Sequence, residues 1–283
     1  MCRFFLFPNF DLYHFNMKNS FRLFILILGM GFFSLMPQDS VAWGLNGHRI
    51  VGEIASTHLT KKARKAVKAI LGDESIAMSS NWPDFIKSDP AYKKYYNWHF
   101  INLEAGFTND SIMRYLDADT AVDAYTKINF LIDQLKHHEL SQSVKKEYLK
   151  LLIHIVGDIH QPLHVGHYSD LGGNRIRLKW FHDSSNLHQV WDERLVDFQL
   201  LSYTEFSCAI NHIKKEQAEK WGKMTLQEWI CDSYNIAQEI YNYAETQKGS
   251  LRYEYNYRYL SVLNEQLLKG GFHLAQILND IFG

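Results

Sequence analysis

Apolar residues recur every three or four positions along most of the chain from residue 45 onward, which is the period of an α-helix with one buried face. Thr60 is a typical N-cap before KKARKAVKAIL, and Gly72 is a typical residue beyond its end. The spacing predicts helices around 48–58, over 61–71, over 119–138, from Ser141 or Ser143 to near Pro162, over 187–198, over 225–246 and over about 260–282. The pattern predicts a mainly α fold.

Three shorter segments depart from the helical period. Residues 82–87 (WPDFIK) read as a loop that enters a short helix, and residues 97–103 (NWHFINL) are short, apolar and aromatic, which favours an extended segment. Apolar side chains alternate with cations over 175–180, as in a short strand. We expect one domain with at most a small β-ribbon near 174–182.

The most informative stretch is LKLLIHIVGDIHQPLH, residues 149–164. His154 and Asp158 are four apart, so a helix places them on one face, and Pro162 beyond the helix end brings His164 back toward them. His160 points off that face, and we assign it a packing role. An apolar helix of this kind is buried, and a buried imidazole and carboxylate must be paired or bound to a metal. By itself the spacing does not distinguish a metal site from a hydrogen-bonded His–Asp pair in the core.

The N-terminus reads as an export signal. Lys18 and Arg22 precede an uncharged stretch, Leu23–Phe33, that is too short to span a bilayer. The small residues of Ser40-Val41-Ala42 are typical of a signal-peptidase cleavage site. We predict that translation starts at Met17, that residues 1–42 are removed after Ala42, and that 43–283 forms one domain. The product would be periplasmic or secreted, monomeric and without stable membrane association; an uncleaved anchor is the alternative.

Composition limits the classes of partner. The 283 residues are 46% hydrophobic with a formal net charge of −1, enough for a large core but without the basic excess of most nucleic-acid binders. If the partner is nucleic acid, metal ions must neutralise much of its phosphate charge. Export permits a disulfide between Cys208 and Cys231, but two free thiols are equally compatible with the sequence.

Further metal-type donors occur on other predicted elements, and the chain has 14 His. His188 and Asp192 repeat the i, i+4 spacing, with Ser185 or Asn186 as the helix cap, while Asp84 and His99 each lie beside a Trp. Imidazole and carboxylate donors without thiolates suit zinc in a catalytic site. So many donor pairs on separate elements favour a metal centre over inert core pairs.

Together these motifs give the chain a family resemblance. The segments WGLNGHRIVGEIA, WPDFIK, WHFIN, HIVGDIHQPLHVG, GGN, NLHQVWD and QLLKGGFHLAQILN resemble the S1/P1 zinc nuclease family, the single-strand-specific nucleases and 3′-nucleotidases. The resemblance extends from Trp43 to Gly283. It implies a helical fold with three zinc ions in a cleft.

The resemblance also implies which residues bind each ion. By position, Asp84, His99, His154 and Asp158 would hold the first zinc, and His164, His188 and Asp192 the second. Asp158, His48 and Trp43 would hold the third. Trp43 would bind through its own α-amino nitrogen and carbonyl oxygen, which requires cleavage directly before it.

The expected reaction is phosphodiester hydrolysis of single-stranded DNA and RNA, and of 3′-nucleotides, to give 5′-phosphate products. A zinc-bound hydroxide, oriented by Asp158, would attack phosphorus, with Lys87 as an additional cation. Asn102 stands where the fungal members often have an Asp that pairs with the Lys, so the Lys87 pairing is in question. Asn174 and Asn186 are the expected nucleotide contacts.

Two other functions compete with this one. A zinc-dependent phospholipase C shares the N-terminal Trp and the H-x3-D-x5-H spacing, although its last ligand pair ends in Glu where Asp192 stands here. A non-catalytic periplasmic zinc-binding protein would need the donors but neither Lys87 nor an open coordination position. Activity against single-stranded DNA, against a phosphatidylcholine, or against neither distinguishes the three.

Overall fold

The computed structural model describes residues 43–283, so the predicted signal segment lies outside the described residues. The described part belongs to one compact unit and is mainly helical, which confirms the predicted fold class. Its α-helices are α1 (Leu45–His58), α2 (Lys61–Leu71), α3 (Ile76–Ser79), α4 (Trp82–Phe85), α5 (Asn109–Asp117), α6 (Ala124–His137), α7 (Gln142–Asp158), α8 (Leu187–Gln189), α9 (Leu195–Asp197), α10 (Tyr203–Ile210), α11 (Lys215–Trp221), α12 (Leu226–Thr246) and α13 (Tyr253–Phe282). Within 43–283, no helix is both long and apolar enough to cross a membrane.

Helix α7 lies at the centre of the fold. Every residue from Leu149 to Asp158 is buried, and α1, α6 and α13 pack around the helix. Burying one Leu or Ile side chain contributes about 1.5–3 kcal/mol, so this apolar helix anchors the domain and fixes the polar residues that it carries. Helices α1 and α13 approach closely because Gly271 has no side chain; a Cβ there would lie 2.5 Å from Ile54 Cβ.

Several predicted helix starts are confirmed by their caps. The side chain of Thr60 accepts a hydrogen bond from the backbone N–H of Ala63, and Ser141 caps α7 through Val144. Asn186 caps α8 through the N–H of Gln189. These caps satisfy backbone donors that the first helical turn leaves without a partner.

Four predicted boundaries were wrong. Helix α6 starts at Ala124 rather than 119, because Asp123 caps it, and α13 starts at Tyr253 rather than near 260. Residues 97–99 belong to the 3₁₀ helix Pro90–His99, so only the residues after it are extended. WPDFIK does not begin as a loop: α4 starts at Trp82, with Pro83 in its first turn, where a missing N–H costs nothing.

The predicted ribbon is a three-stranded sheet with the order β2–β1–β3: β1 (Arg177–Trp180), β2 (Asp183–Asn186) and β3 (Ser250–Leu251). β1 and β2 are antiparallel, with Arg177 opposite Asn186 and Trp180 opposite Asp183. β3 pairs in parallel with β1 over two residues, and no pattern in the sequence predicts this strand. The sheet leads directly into α8.

Candidate metal centre

The C-terminal end of α7 carries the first donors of a buried cluster. The side chains of His154 and Asp158 are fully buried, and His154 Nε2 lies 3.2 Å from Asp158 Oδ2. Gly157 admits His48 to this site, because a Cβ there would lie 2.9 Å from His48 Nδ1. The ring of His48 stacks on that of His154 with 3.8 Å between their centroids. The face of α7 that carries His154 and Asp158, as predicted from their spacing, therefore forms one side of the cluster.

Asp158 is the shared centre of the cluster. Its Oδ1 lies 3.3 Å from His48 Nε2 and 3.8 Å from His164 Nδ1, and its Oδ2 lies 3.0 Å from His99 Nδ1. Asp84 approaches from α4, with its Oδ1 3.7 Å from His154 Nε2. One carboxylate thus faces imidazoles from three other segments of the chain.

A second group of donors lies beside the first. His188 Nε2 is 3.2 Å from Asp192 Oδ2, and His164 Nε2 is 3.6 Å from Asp192 Oδ1. The predicted regular helix over 187–198 was wrong here, because Val190–Arg194 forms a π-helix between α8 and α9. Widened turns of this kind occur often at functional sites, and this one contains Asp192.

Backbone carbonyls fix the orientation of three imidazoles. The Nδ1 atoms of His154, His164 and His188 each donate a hydrogen bond of 2.6 Å, to the carbonyls of Ser80, His99 and Gly172. A hydrogen bond at Nδ1 leaves Nε2 as the nitrogen with a free lone pair, which is the arrangement of metal-binding histidines. Gly172 has φ +62°, and a Cβ on it would lie 2.3 Å from Leu163 O, so a larger residue could not present this carbonyl.

The carboxylates remain ionised despite their burial. Burial raises the pKa of Asp158, but His154 and His164 outweigh it and hold this pKa well below the usual value. The pKa of Asp84 is lowered against the same burial effect by His154 and then Lys87, and the pKa of Asp192 is lowered by His188 and His164. The three ionised carboxylates therefore concentrate negative charge in a buried site.

The imidazoles respond to these carboxylates in two ways. Burial lowers the pKa of His99 to about 4 and also lowers that of His48. Burial opposes protonation of His164 as well, but Asp158 and Asp192 outweigh it and raise its pKa to about 9. Asp158 and Asp84 likewise raise the pKa of His154. The negative field that favours these imidazolium ions also favours bound divalent cations.

The donors fit the chemistry of zinc. Three sets offer ligand atoms within 4.8 Å of one another: His48, Asp84 and His154; His99, His154 and Asp158; and His164, His188 and Asp192. His48 Nε2, Asp158 Oδ1 and His164 Nε2 are buried and have no hydrogen-bond partner in residues 43–283. Buried polar atoms of this kind are costly unless something binds them, and a neutral imidazole and a carboxylate both bind zinc.

A family model described as S1/P1 nuclease matches residues 43–283. The chain belongs to the S1/P1 nuclease family. Among curated proteins, Endonuclease 3 of Arabidopsis thaliana is 29% identical over 269 residues, covering 87% of this chain and 91% of the relative. Nuclease P1 of Penicillium citrinum is 28% identical, covering 85% and 98%. Nuclease S1 of Aspergillus oryzae is 30% identical over 171 residues, covering 56% of each chain. Membership makes the chain an enzyme of a nuclease family.

All nine residues predicted as ligands in this S1/P1 member lie at or beside the cluster. The set His164, His188 and Asp192 coincides with the predicted second zinc site, and His99, His154 and Asp158 are three of the four residues of the first. His48 is close both to Asp158, as predicted, and to Asp84 and His154. Trp43 is fully buried, and the N–H of the following Gly44 donates to Asp192 O at 2.6 Å. Which ligand serves which ion stays a prediction.

Lys87 forms an ion pair with a carboxylate of the cluster. Its Nζ lies 2.6 Å from Asp84 Oδ1, and its side chain remains 23% exposed. In the described residues Lys87 forms no hydrogen bond with Asn102, the position at which the family pairing was in question. A neutral amide has no charge to compete with Asp84, which lies one helical turn away on the chain.

The two predicted nucleotide contacts both have local structural roles. Asn186 is nearly buried, and its Oδ1 caps α8 just before His188. The amide of Asn174 donates to Leu171 O in the Gly172–Gly173 turn. Sequence reasoning missed Gln161, which is fully buried and donates to Asp192 Oδ1 while its own oxygen accepts from Leu163 N–H. A single Gln gives no sequence pattern that could have identified it.

Proposed function

We propose that this protein is a zinc-dependent phosphodiesterase that cleaves single-stranded DNA and RNA to 5′-phosphate products and also removes phosphate from 3′-nucleotides. The observation that carries the proposal is the convergence of five imidazoles and three carboxylates in one buried cluster, in a chain of the S1/P1 nuclease family. Zinc in these sets would lower the pKa of bound water toward neutrality and neutralise charge on the substrate phosphate.

The chain's own residues supply orientation and charge. The two oxygens of Asp158 lie toward different imidazoles, Oδ1 toward His48 and Oδ2 toward His99, so this carboxylate can orient an attacking water between the donor sets. Lys87 holds its ammonium group at Asp84 and keeps part of its surface exposed, so it can approach a phosphate oxygen. The carbonyls that fix His154, His164 and His188 prevent these rings from turning during the reaction.

Burial of the cluster supports a preference for single strands. His48, His154 and Asp158 are fully buried, so a phosphate must enter the protein to reach them. A single strand can bend inward and unstack a base, whereas a duplex must first be unpaired. We therefore expect duplex DNA to be a poor substrate.

Trp43 supplies a separate test of the zinc sites. If export removes residues 1–42, the α-amino group of Trp43 becomes available beside Asp192. N-terminal sequencing of the exported protein should give Trp43, and a protein with one extra residue before Trp43 should bind fewer zinc ions per molecule. Equal zinc content in the two proteins would contradict a role for this amino group.

The proposed function is tested with protein that begins at Trp43. Hydrolysis of single-stranded DNA, duplex DNA, RNA, a 3′-mononucleotide and a phosphatidylcholine is measured before chelation, after chelation and after zinc is restored. We expect zinc-restored cleavage of single strands with 5′-phosphate ends. Hydrolysis of the phosphatidylcholine alone would favour a phospholipase C, and zinc binding without hydrolysis of any substrate would favour a zinc-binding protein.

A further inference from the structure

Helix α2 carries a dense positive surface that takes no part in the metal centre. Its eleven residues include five cations and no Asp or Glu, although the whole chain has a net charge of −1. The cations are Lys61, Lys62, Arg64, Lys65 and Lys68, and all five are exposed. This short helix therefore carries five of the chain's 30 Lys and Arg residues and no acid.

The opposite face of α2 is committed to the core. Ala63, Val67, Ile70 and Leu71 are buried, so packing against the domain holds the helix in place with its cations outward. The helix thus presents a rigid, purely cationic surface with no exposed large apolar side chain.

The charge pattern opposes the stability of the helix. Lys61 and Lys62 stand in the first turn, where the partial positive charge of the helix N-terminus favours acids. Lys61 repels Arg64 and Lys65 at spacings of three and four, and Lys65 repels Lys68. Within residues 43–283, Lys68 lies 3.1 Å from the exposed Asp73 and Lys62 donates to Gly283 O at 2.7 Å, whereas Lys61, Arg64 and Lys65 form no ion pair. A polyanion would remove this repulsion by supplying the missing negative charge.

We propose that the exposed face of α2 is a second anchoring surface for the phosphate backbone of single-stranded nucleic acid. The inference rests on the proposed nuclease function, because it concerns the same substrate. Lys61, Lys65 and Lys68 lie on consecutive turns and form a row along the helix, which suits a backbone with regularly spaced charges.

Distance separates this surface from the reaction site. Lys146 Nζ donates to Leu71 O at 2.9 Å, which places the end of α2 beside the first half of α7. Asp158 is twelve residues further along α7, about 18 Å at 1.5 Å per residue. A dinucleotide bound at the metal centre cannot reach α2, whereas a long strand can contact both. The surface should therefore matter only for long substrates.

A nucleic acid fits the surface better than an anionic membrane. Peripheral membrane helices insert apolar side chains between lipids, and the apolar side chains of α2 are buried in the domain. The regularly spaced phosphates of a nucleic acid are neutralised by Lys and Arg side chains, which is what this face provides.

The test compares zinc-loaded protein with a triple variant, Lys61→Gln, Lys65→Gln and Lys68→Gln. Gln has nearly the helix propensity of Lys. Lys62, which donates to Gly283 O, and Arg64, which donates to the carbonyl of Leu59, are left unchanged. For a 30-nucleotide single strand we expect KM to rise about tenfold at low salt, and the slope of log KM against log salt to fall by about 2. The rate with a dinucleotide should stay the same.

A matched control removes the same charge elsewhere: Lys215→Gln, Lys220→Gln and Lys223→Gln on and after α11, all of them exposed. We expect this control to retain the KM and the salt slope of the parent protein. An unchanged salt slope in the α2 variant, or an equal change in the control, would overturn the proposal.

Two further measurements distinguish the remaining outcomes. Binding to vesicles of anionic phospholipid that depends on the α2 lysines, without an effect on oligonucleotide KM, would assign the surface to membranes and overturn the proposal. Direct binding of the oligonucleotide tests α2 even if the parent protein cleaves nothing, whereas failure to cleave the dinucleotide counts against the proposed function alone.

Discussion

Two clusters of buried imidazoles surround the end of α7, and they differ in the groups that face the rings. The metal centre contains carboxylates between its imidazoles, with Asp158 within 3.8 Å of four of them. The second cluster consists of His160, His273 and Trp229, and we call it the paired-histidine cluster. His160 is only two residues beyond Asp158 but belongs to this second cluster.

The paired-histidine cluster is held together by hydrogen bonds and stacking. His160 Nδ1 donates to Val156 O at 2.7 Å, and its Nε2 lies 2.7 Å from His273 Nδ1. The ring of His273 stacks on Trp229 with 4.1 Å between centroids. Burial lowers the pKa of His160 to about 4 and that of His273 well below its usual value, so both rings are neutral.

The two clusters differ in their buried carboxylates rather than in their buried histidines, and this difference is our reason for assigning the function to the metal centre. Near the paired-histidine cluster, the carboxylates of Asp232 and Glu265 form ion pairs with Lys269, whose Nζ lies 2.9 Å from Asp232 Oδ2 and 2.7 Å from Glu265 Oε1. In the metal centre, Asp158 Oδ1 is buried without a hydrogen-bond partner in residues 43–283, and this carboxylate lies between imidazoles instead of beside a lysine. Three pairs of variants and one single variant test whether the two clusters have these separate roles.

The largest difference is expected for Asp158→Asn against Asp232→Asn. Loss of the Asp158 charge leaves four imidazoles without their shared carboxylate, so we expect loss of bound zinc and a fall in nuclease rate of about 10³-fold or more. Asp232→Asn should keep the zinc content and rate of the parent protein. Metal analysis and hydrolysis of single-stranded DNA measure both, and full activity in Asp158→Asn would disprove the central role of this carboxylate.

The second comparison is Lys87→Gln against Lys269→Gln. Lys87 lies beside a predicted zinc ligand and is partly exposed, so its loss should lower kcat/KM by about 10²-fold with zinc content unchanged. Lys87→Arg should restore part of the rate. Lys269→Gln leaves two partly exposed carboxylates and should change the free energy of unfolding by at most about 1 kcal/mol. Equal rates for Lys87→Gln and the parent would refute a contact with the reacting phosphate.

Two glycines provide a smaller contrast. Ala at 157 would place its Cβ 2.9 Å from His48 Nδ1 and displace a predicted ligand, so we expect zinc affinity to fall about tenfold. Ala at 270 would meet Val51 Cγ2 at 3.3 Å and His160 Cβ at 3.4 Å, which small shifts can accommodate. Zinc titration with a competing chelator should therefore separate Gly157→Ala from both the parent and Gly270→Ala. A weaker affinity in Gly270→Ala as well would indicate that the two clusters are coupled.

The smallest effect concerns the pH dependence of stability. The pKa of His273 is far below 6.5 in the folded protein because burial disfavours the charged ring. Below pH 6.5 the unfolded chain therefore binds a proton that the folded protein does not, and stability decreases as the pH falls. His273→Gln should lose about 1 kcal/mol at neutral pH but show a shallower acid dependence in urea unfolding, with nuclease rate retained. A parallel dependence in the two proteins would show that this ring does not titrate on unfolding.

Local sequence determined much of the fold and the identity of the donors. The spacing of His154 and Asp158 requires only a helix to bring them together, and the caps at Thr60, Ser141 and Asn186 follow from hydrogen bonds within a few residues. Donor chemistry also distinguished Asp84 and His99 as metal-type residues before any contact was known. These features depend on neighbours along the chain, so a single sequence contains them.

Tertiary structure alone decided the remaining contacts. The carbonyl that orients His164 belongs to His99, 65 residues away, and β3 pairs with β1 without a pattern of its own. The pairing of Lys87 with Asp84 and the division of His160 and His273 from the metal centre also depend on how helices pack. Periodicity shows which face of a helix is buried, but the contacts of that face are set by segments far apart in sequence, which no local pattern specifies.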